Sequence, residues 1–155
     1  MDKEFLKTIH GHQKIIYKVC RLYRNTRQDE EDLFQEIVYQ LWKSYPSFKG
    51  EAKISSWMYR IALNTAMVVY RKKALPVTYV ENVPEYLNTT GNTTSENEER
   101  LFAALQVLND AEKAIISLYL DNFSYSEIAE ITGLSETNTG VKLNRIKNKL
   151  KTILN

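Results

Sequence analysis

Apolar residues recur at three- and four-residue steps along almost all of this chain outside its middle. Phe5, Ile9, His12, Ile16, Val19 and Tyr23 form one stripe, and Leu33, Phe34, Ile37, Val38, Leu41, Trp42 and Tyr45 form a stronger one. Such spacing places each set on one face of a helix. Pro46 stops the second pattern, because the residue before a proline is pushed out of the helical region. A third pattern runs from Ile54 to about Lys73 and ends before Pro76. The next stretch, LPVTYVENVPEYLNTTGNTTSENEE, has both remaining prolines, a Thr/Asn/Gly/Ser cluster and no helical period. Residues 76–97 are therefore read as a flexible linker. Helices resume near Glu98, with Leu101, Ala104, Leu105 and Leu108 on one face. No strand pattern or internal repeat is present. The expected fold is all-α, with two small helical bundles, residues 1–75 and 98–155, on either side of the linker.

Local punctuation in the second bundle is specific. Asn109 followed by Glu112, and Ser124 followed by Glu127, have capping-box spacing and predict two helix starts. The second of these helices packs through Ile128 and Ile131, with Ala129 small enough for a neighbour to approach. Gly133 supplies a sharp turn at its end. Leu134 returns to the core, and Ser135 caps a longer helix. Helix, glycine turn and helix is the geometry of a helix-turn-helix. On the longer helix Thr139, Leu143, Ile146, Leu150 and Ile153 make the packed stripe. Asn138, Lys142, Arg145 and Lys149 make a separate one, within an arc of roughly 60° at about 100° per residue. A helix in the major groove sets its N-terminal residues on base edges and its cations on phosphates. Asn138 is the base reader by position, Lys142 and Arg145 read guanine or grip phosphate, and Lys147 and Lys149 suit backbone contacts. The plain alternative is a helical hairpin with a basic solvent face.

The third helix of the first bundle has a similar division. Ile54, Met58, Ile61, Thr65 and Val68 are expected to face the core. Trp57, Arg60, Asn64 and Arg71 share a neighbouring flank. An aromatic ring, an amide and two guanidinium groups suit single-stranded nucleic acid. The ring stacks on an unpaired base, the amide bonds its Watson–Crick edge, and the arginines hold phosphates. The preceding loop, SFKGE, offers Phe48 as a pocket wall, with Lys49 beside it and Gly50 permitting close backbone approach. The structural alternative has Phe48 and Trp57 closing the bundle and Arg60 and Asn64 in solvent. Gln28-Asp29-Glu30-Glu31-Asp32 opens the second helix, where acids favour the helix N-terminus and suffice as caps. Gln35, Glu36, Tyr39 and Gln40 lie further along it. An acidic, amide-rich flank on a basic domain is repelled by DNA, which points to a protein partner.

Charge sharpens this reading. The net charge of +2 over 155 residues conceals +6 in residues 1–75 and −5 in residues 76–99. Residues 137–155 hold five Lys/Arg and no acid. Two basic blocks separated by an acidic one predict a polyanion met at two places. The single cysteine, Cys20, forms no internal disulfide and fits a reducing cytosol. No apolar run approaches the ~20 residues of a membrane span, and the N-terminus lacks the form of a secretory signal. There is no HExxH, CxxC, phosphate loop or nucleophile elbow. The chain is therefore read as a non-enzyme with no catalytic residue, no metal, no cofactor and no small-molecule substrate.

These residues resemble a known family. DEEDLFQEIVYQLWKSYPSFKGEAKISSWMYRIALN is similar to region 2 of an extracytoplasmic-function (ECF) sigma factor, in the sigma-70 superfamily. YSEIAEITGLSETNTGVKLNRIKNKL is similar to its region 4. The resemblance covers nearly the whole chain, in order, with a linker between and no separate third domain. It implies binding to core RNA polymerase and promoter-specific transcription initiation. Asp32, Leu33, Gln35, Glu36 and the adjacent Tyr39 would meet the clamp coiled coil of the largest catalytic subunit. Phe48, Lys49, Trp57, Arg60, Asn64 and Arg71 would act at the minus-10 element, melting it and capturing a flipped non-template base. Phe48 and Asn64 would line the pocket. Asn138, Lys142, Arg145 and Lys149 would engage the minus-35 element as duplex. The implied partners are core polymerase, promoter DNA and an anti-sigma factor, in the cytoplasm or held at the membrane by that factor.

Thr139 stands where the family usually has Val, and Gly140 where many members have Arg or Lys; the glycine is expected to weaken the helix and remove one DNA contact. The rival reading is a stand-alone dimeric helix-turn-helix regulator, although no second apolar face after Lys149 offers a dimer interface.

Overall fold

A computed structural model of the chain describes the backbone of residues 2–71 and 96–155, and the side chains of residues 3–67 and 96–155. These form two compact units. The segment read as linker falls mostly outside the described residues, although helix already begins at Glu96.

The first unit contains α1 (Asp2–Gly11), α2 (Gln13–Tyr23), α3 (Arg27–Ser44) and α4 (Ile54–Arg71). The first apolar stripe, expected on one helix, is shared between α1 and α2. The break falls at His12 (φ −126°, ψ 19°), after the poor helix former Gly11. The His12 ring donates from Nδ1 to the Thr8 carbonyl at 3.1 Å. The buried register nevertheless continues through Phe5, Ile9, Ile16, Val19 and Tyr23.

The α3 helix starts on a cap that the acidic run obscured. Thr26 Oγ1 accepts the Asp29 N–H at 3.1 Å, while Asp29 and Glu30 occupy the first turn, where the helix dipole favours negative charge. Leu33, Phe34, Ile37 and Leu41 are buried, and a 3-10 turn, Tyr45–Ser47, takes in Pro46.

The inward face of α4 differs from expectation. Met58, Tyr59, Ala62, Leu63, Thr65 and Ala66 are buried, whereas Ile54 and Ile61 are only half-buried. Val68 lies outside the described side chains. The reason is that α4 packs against both α2 and α3, so two neighbours cover a wider arc than one stripe. Ala62 and Ala66 keep that approach close. Arg24, just past α2, donates from its guanidinium to the Tyr23 carbonyl at 2.8 Å and the Ala66 carbonyl at 3.0 Å. This ties the end of α2 to α4. Cys20 is fully buried. Burial, and then the nearby Glu30 charge, push its thiol far above the ordinary range, which leaves it unreactive.

The second unit contains α5 (Glu96–Leu105), α6 (Asp110–Leu120), α7 (Tyr125–Thr132) and α8 (Glu136–Leu154). The long α8 packs against the other three, around Leu105, Ile115, Leu118, Ile128, Leu143 and Ile146. Both expected capping boxes are present, at Asn109/Glu112 and Ser124/Glu127. The packed stripe of α8 holds from Thr139 to Leu150, but Ile153 is 41% exposed, because this end of the helix runs past the core.

Candidate nucleic-acid and partner interfaces

In the second unit, the turn between α7 and α8 is built by local bonds. Gly133 takes the left-handed conformation (φ 82°) and donates its N–H to the Ala129 carbonyl at 2.8 Å. Two residues later Ser135 Oγ accepts the Asn138 N–H at 3.1 Å. Thr139, fully buried, donates its hydroxyl to the Ser135 carbonyl at 2.9 Å, so the hydroxyl in place of a valine methyl is satisfied. These bonds fix the angle at which α8 leaves the turn.

Asn138, Lys142, Arg145 and Lys149 are all exposed on α8. The fourth is not simply solvated. Lys149 Nζ reaches the Glu112 carboxylate at 2.9 and 3.2 Å, and Glu112 also accepts the Asn109 N–H at 3.0 Å. One carboxylate thus caps α6 and holds α8. Burial acts to raise the Glu112 carboxyl. The hydrogen bonds from Lys149 and Asn109 and the positive charges of Lys149 and Lys142 outweigh it and hold the carboxyl below its ordinary value. A phosphate contact by Lys149 therefore requires exchange of an existing partner.

Lys147 departs from the expected backbone role: its ammonium lies over the Tyr119 ring, 4.2 Å from the centroid, on the side of α8 away from the stripe. Gly140 is on that side too, roughly 200° from Asn138, and an added Cβ would meet the Tyr125 ring at 3.4 Å. The glycine therefore takes nothing from the cationic stripe, contrary to the expectation that it removes a DNA contact. The helical period alone was enough to reveal this.

In the first unit, aromatic rings run in a connected series. Trp42 and Tyr45 pack edge-on against Phe5, with centroids at 5.1 and 5.3 Å. Tyr45 lies 6.2 Å from Trp57, and Phe48 lies 4.9 Å from Trp57 at an interplanar angle of 38°. Phe48 and Trp57 are each half-buried, so both serve the bundle and keep ring surface in solvent. Gly50 in the intervening loop has φ 75°, the left-handed conformation that glycine adopts without strain. Lys49 is exposed before it. Arg60 and Asn64, one and two turns after Trp57 on the same flank, are exposed. The Arg71 side chain lies outside the described residues. A partly open aromatic pair, followed by a cation and an amide, can stack on a base, bond its edge and neutralise its phosphate.

The expected partner-binding flank of α3 is divided by the fold. Tyr39 is 54% exposed, and Asp32, Gln35 and Glu36 are half-buried. Leu33, at 1% exposure, belongs to the core. Its inclusion in a contact surface is corrected: it stands on the inward stripe with Ile37 and Leu41, out of a partner's reach. Gln28 donates to Asp32 at 3.2 Å and Gln40 to Glu36 at 3.0 Å, which preorients both carboxylates. Burial raises the carboxyls of Glu30 and Asp32 above their usual values; Arg21 and Arg27 oppose this at Glu30, and the Gln28 bond opposes it at Asp32. Among the described residues no cluster of His, Cys, Asp or Glu could hold a metal ion, and no helix is long and apolar enough to cross a membrane.

A two-unit helical protein with a helix-turn-helix in its second unit and an aromatic–cationic flank in its first is the class that these features define. The family models for Sigma-70 region 2 and Sigma-70 region 4 match residues 8–75 and 98–150, respectively. The RNA polymerase sigma factor SigV of Bacillus subtilis is 30% identical over 132 residues, covering 84% of this chain and 78% of SigV. The ECF RNA polymerase sigma factor SigG of Mycobacterium tuberculosis is 26% identical over 163 residues, covering 86% of this chain. This chain spans 44% of the length of SigG, less than half. The sigma factor RpoE of Bartonella quintana, solved with the anti-sigma factor NepR, shares the fold (TM-score 0.73, 20% identity, 99% of this chain and 95% of that one). The chain belongs to the ECF sigma factors of the sigma-70 superfamily.

Proposed function

We propose that this chain is a promoter-specificity subunit: it joins core RNA polymerase and directs promoter recognition, DNA melting and initiation. The observation that carries this reading is the succession of region 2 and region 4 matches on two compact helical units. In this reading residues 1–75 serve core polymerase and the minus-10 element, and residues 98–155 serve the minus-35 element. The solvent-reaching part of the α3 flank, exposed Tyr39 with half-buried Asp32, Gln35 and Glu36, meets the polymerase. Trp57 and Phe48 stack on an extruded base, Asn64 bonds its edge, and Lys49, Arg60 and Arg71 hold the strand. Capture of this kind is feasible because base–aromatic stacking is worth roughly 1–3 kcal/mol and extrusion costs a few kcal/mol. Asn138, Lys142 and Arg145 enter the duplex groove, and Lys149 joins them on release from Glu112.

The chain works in the cytoplasm without catalytic chemistry of its own. An anti-sigma factor is the proposed regulator, and the complexed state of the RpoE relative supports that choice. Run-off transcription with core polymerase, with and without the chain, tests the proposal. Promoter-dependent transcripts are expected only when the chain is added, and their absence with it would refute the assignment.

A further inference from the structure

The side of α8 that faces away from its core carries an apolar residue that none of these roles uses. Val141 is 43% exposed. At about 100° per residue it stands roughly 140–180° from the buried Thr139, Leu143, Ile146 and Leu150, so it cannot turn inward. It is about 40° from Arg145 and about 60° from Asn138, at the edge of the stripe assigned to duplex DNA.

Its surroundings separate two possible uses. Within two turns along the helix and roughly 60° around it stand Thr137, Asn138, Asn144, Arg145 and Asn148. All five are exposed, and all are polar or charged. No apolar patch therefore spreads from Val141 along α8, as a protein partner would require. The partly exposed Tyr125 ring lies toward Gly140, about 100° further round. A β-branched side chain also costs helix propensity, and here the free chain buries little in return. One apolar group among hydrogen-bonding groups matches a particular surface. In the major groove the edge of an A·T pair presents donors and acceptors beside a single C5-methyl, that of thymine.

We propose that Val141 packs on the C5-methyl of a thymine and is a specificity-determining residue of α8. The proposal rests on the duplex role given to α8 above and adds to it. Amides and cations read donors and acceptors, whereas this contact selects thymine over cytosine, whose edge has no methyl.

The test begins with a duplex library of randomised core, from which the full chain selects its bound sequence at about 50 mM salt. That duplex is resynthesised with each thymine in turn replaced by deoxyuridine, which removes the methyl and keeps the pairing. Affinities are read by fluorescence anisotropy. One replacement should weaken wild-type binding about fourfold, the value of burying one methyl-sized group. The same replacement should change binding of Val141→Ser by less than about 1.5-fold, while Val141→Ile, which stays apolar, should keep the loss. If the serine variant loses its helical circular dichroism, Val141→Gln, a better helix former, takes its place.

A selected duplex without thymine, wild-type losses all below about twofold, or a serine variant that keeps the loss overturns the proposal. Lys142→Gln/Arg145→Gln on the same duplex checks the groove role by itself. Weaker binding by that variant with no deoxyuridine effect in wild type refutes Val141 alone. Unchanged binding by it, or no selected sequence at all, refutes the groove role and Val141 together.

Discussion

Replacing Gly140 with alanine tests the packing of the helix-turn-helix at one atom. The position is inside α8 and half-buried. An ideal Cβ there lies 3.4 and 3.7 Å from two carbons of the Tyr125 ring, which is ordinary van der Waals contact with no steric cost. Glycine in a helix interior costs about 0.8–1.0 kcal/mol relative to alanine. A fully buried methylene adds about 0.8 kcal/mol, and this half-buried site realises a fraction of that. Gly140→Ala should therefore stabilise the second unit by about 1–1.5 kcal/mol. For a unit of some 60 residues, each kcal/mol corresponds to about 4–8 °C in Tm. The two units need not melt together, so the direct assay is hydrogen–deuterium exchange of peptides from residues 139–150. Exchange through opening of the unit should slow about five- to thirteenfold. Faster exchange or a lower Tm would refute the reasoning, since it would mean that the Tyr125 ring cannot accept the methyl.

Three further outcomes are expected. Leu33→Ala should cost about 2–5 kcal/mol in chemical denaturation of the first unit, whereas Glu36→Lys should leave its stability nearly unchanged and weaken polymerase binding in a pull-down; the reverse pattern would move Leu33 to the surface. Glu112→Gln should destabilise the second unit by about 1 kcal/mol at neutral pH, through the lost Lys149 pair and a weakened cap. Because folding lowers the Glu112 pKa, that contribution is complete above the ordinary value of 4.5 and vanishes as pH falls through the folded value, so the melting curves of variant and wild type should converge in acid. Asn64→Ala should lower open-complex formation, read by permanganate footprinting, without changing Tm; a drop in Tm would make the amide structural.

Helix existence and caps were legible in the sequence because they depend on neighbours three or four residues apart. Ser124, Glu127, Gly133 and Ser135 could be placed from spacing alone, and their bonds span those same distances. Readings failed where partners are distant in the chain. Glu112 was accounted for by its capping box, and nothing local indicates that Lys149, 37 residues later, also reaches it. A hydropathy pattern weights large apolar residues and so draws the α4 stripe through Ile54 and Ile61. Burial instead follows Ala62 and Ala66, whose small size admits α2 and α3 together. The motif groups Leu33 with acids on a contact flank, although its own helical phase belongs with Ile37. Thr26 does not stand out as the α3 cap, because the five consecutive polar residues after Arg27 offer other caps.

The arrangement of α4 also explains how a bundle can maintain a reading surface without losing stability. An aromatic flank exposed for stacking would ordinarily tend to collapse inward. Here Trp57 is held between Tyr45 and Phe48 at centroid distances of 6.2 and 4.9 Å, so part of its surface is already used and its position is fixed. The opposite side of the same helix is anchored by fully buried Met58, Tyr59, Ala62 and Ala66 and by the Arg24 bond to the Ala66 carbonyl. Arg60 and Asn64 then project from a helix whose axis cannot readily shift, and polar groups positioned in advance lose less entropy when they engage a base. This coupling gives Trp57 two duties and Asn64 one. Trp57→Ala should lower both Tm and open-complex formation, whereas Asn64→Ala should affect only the latter.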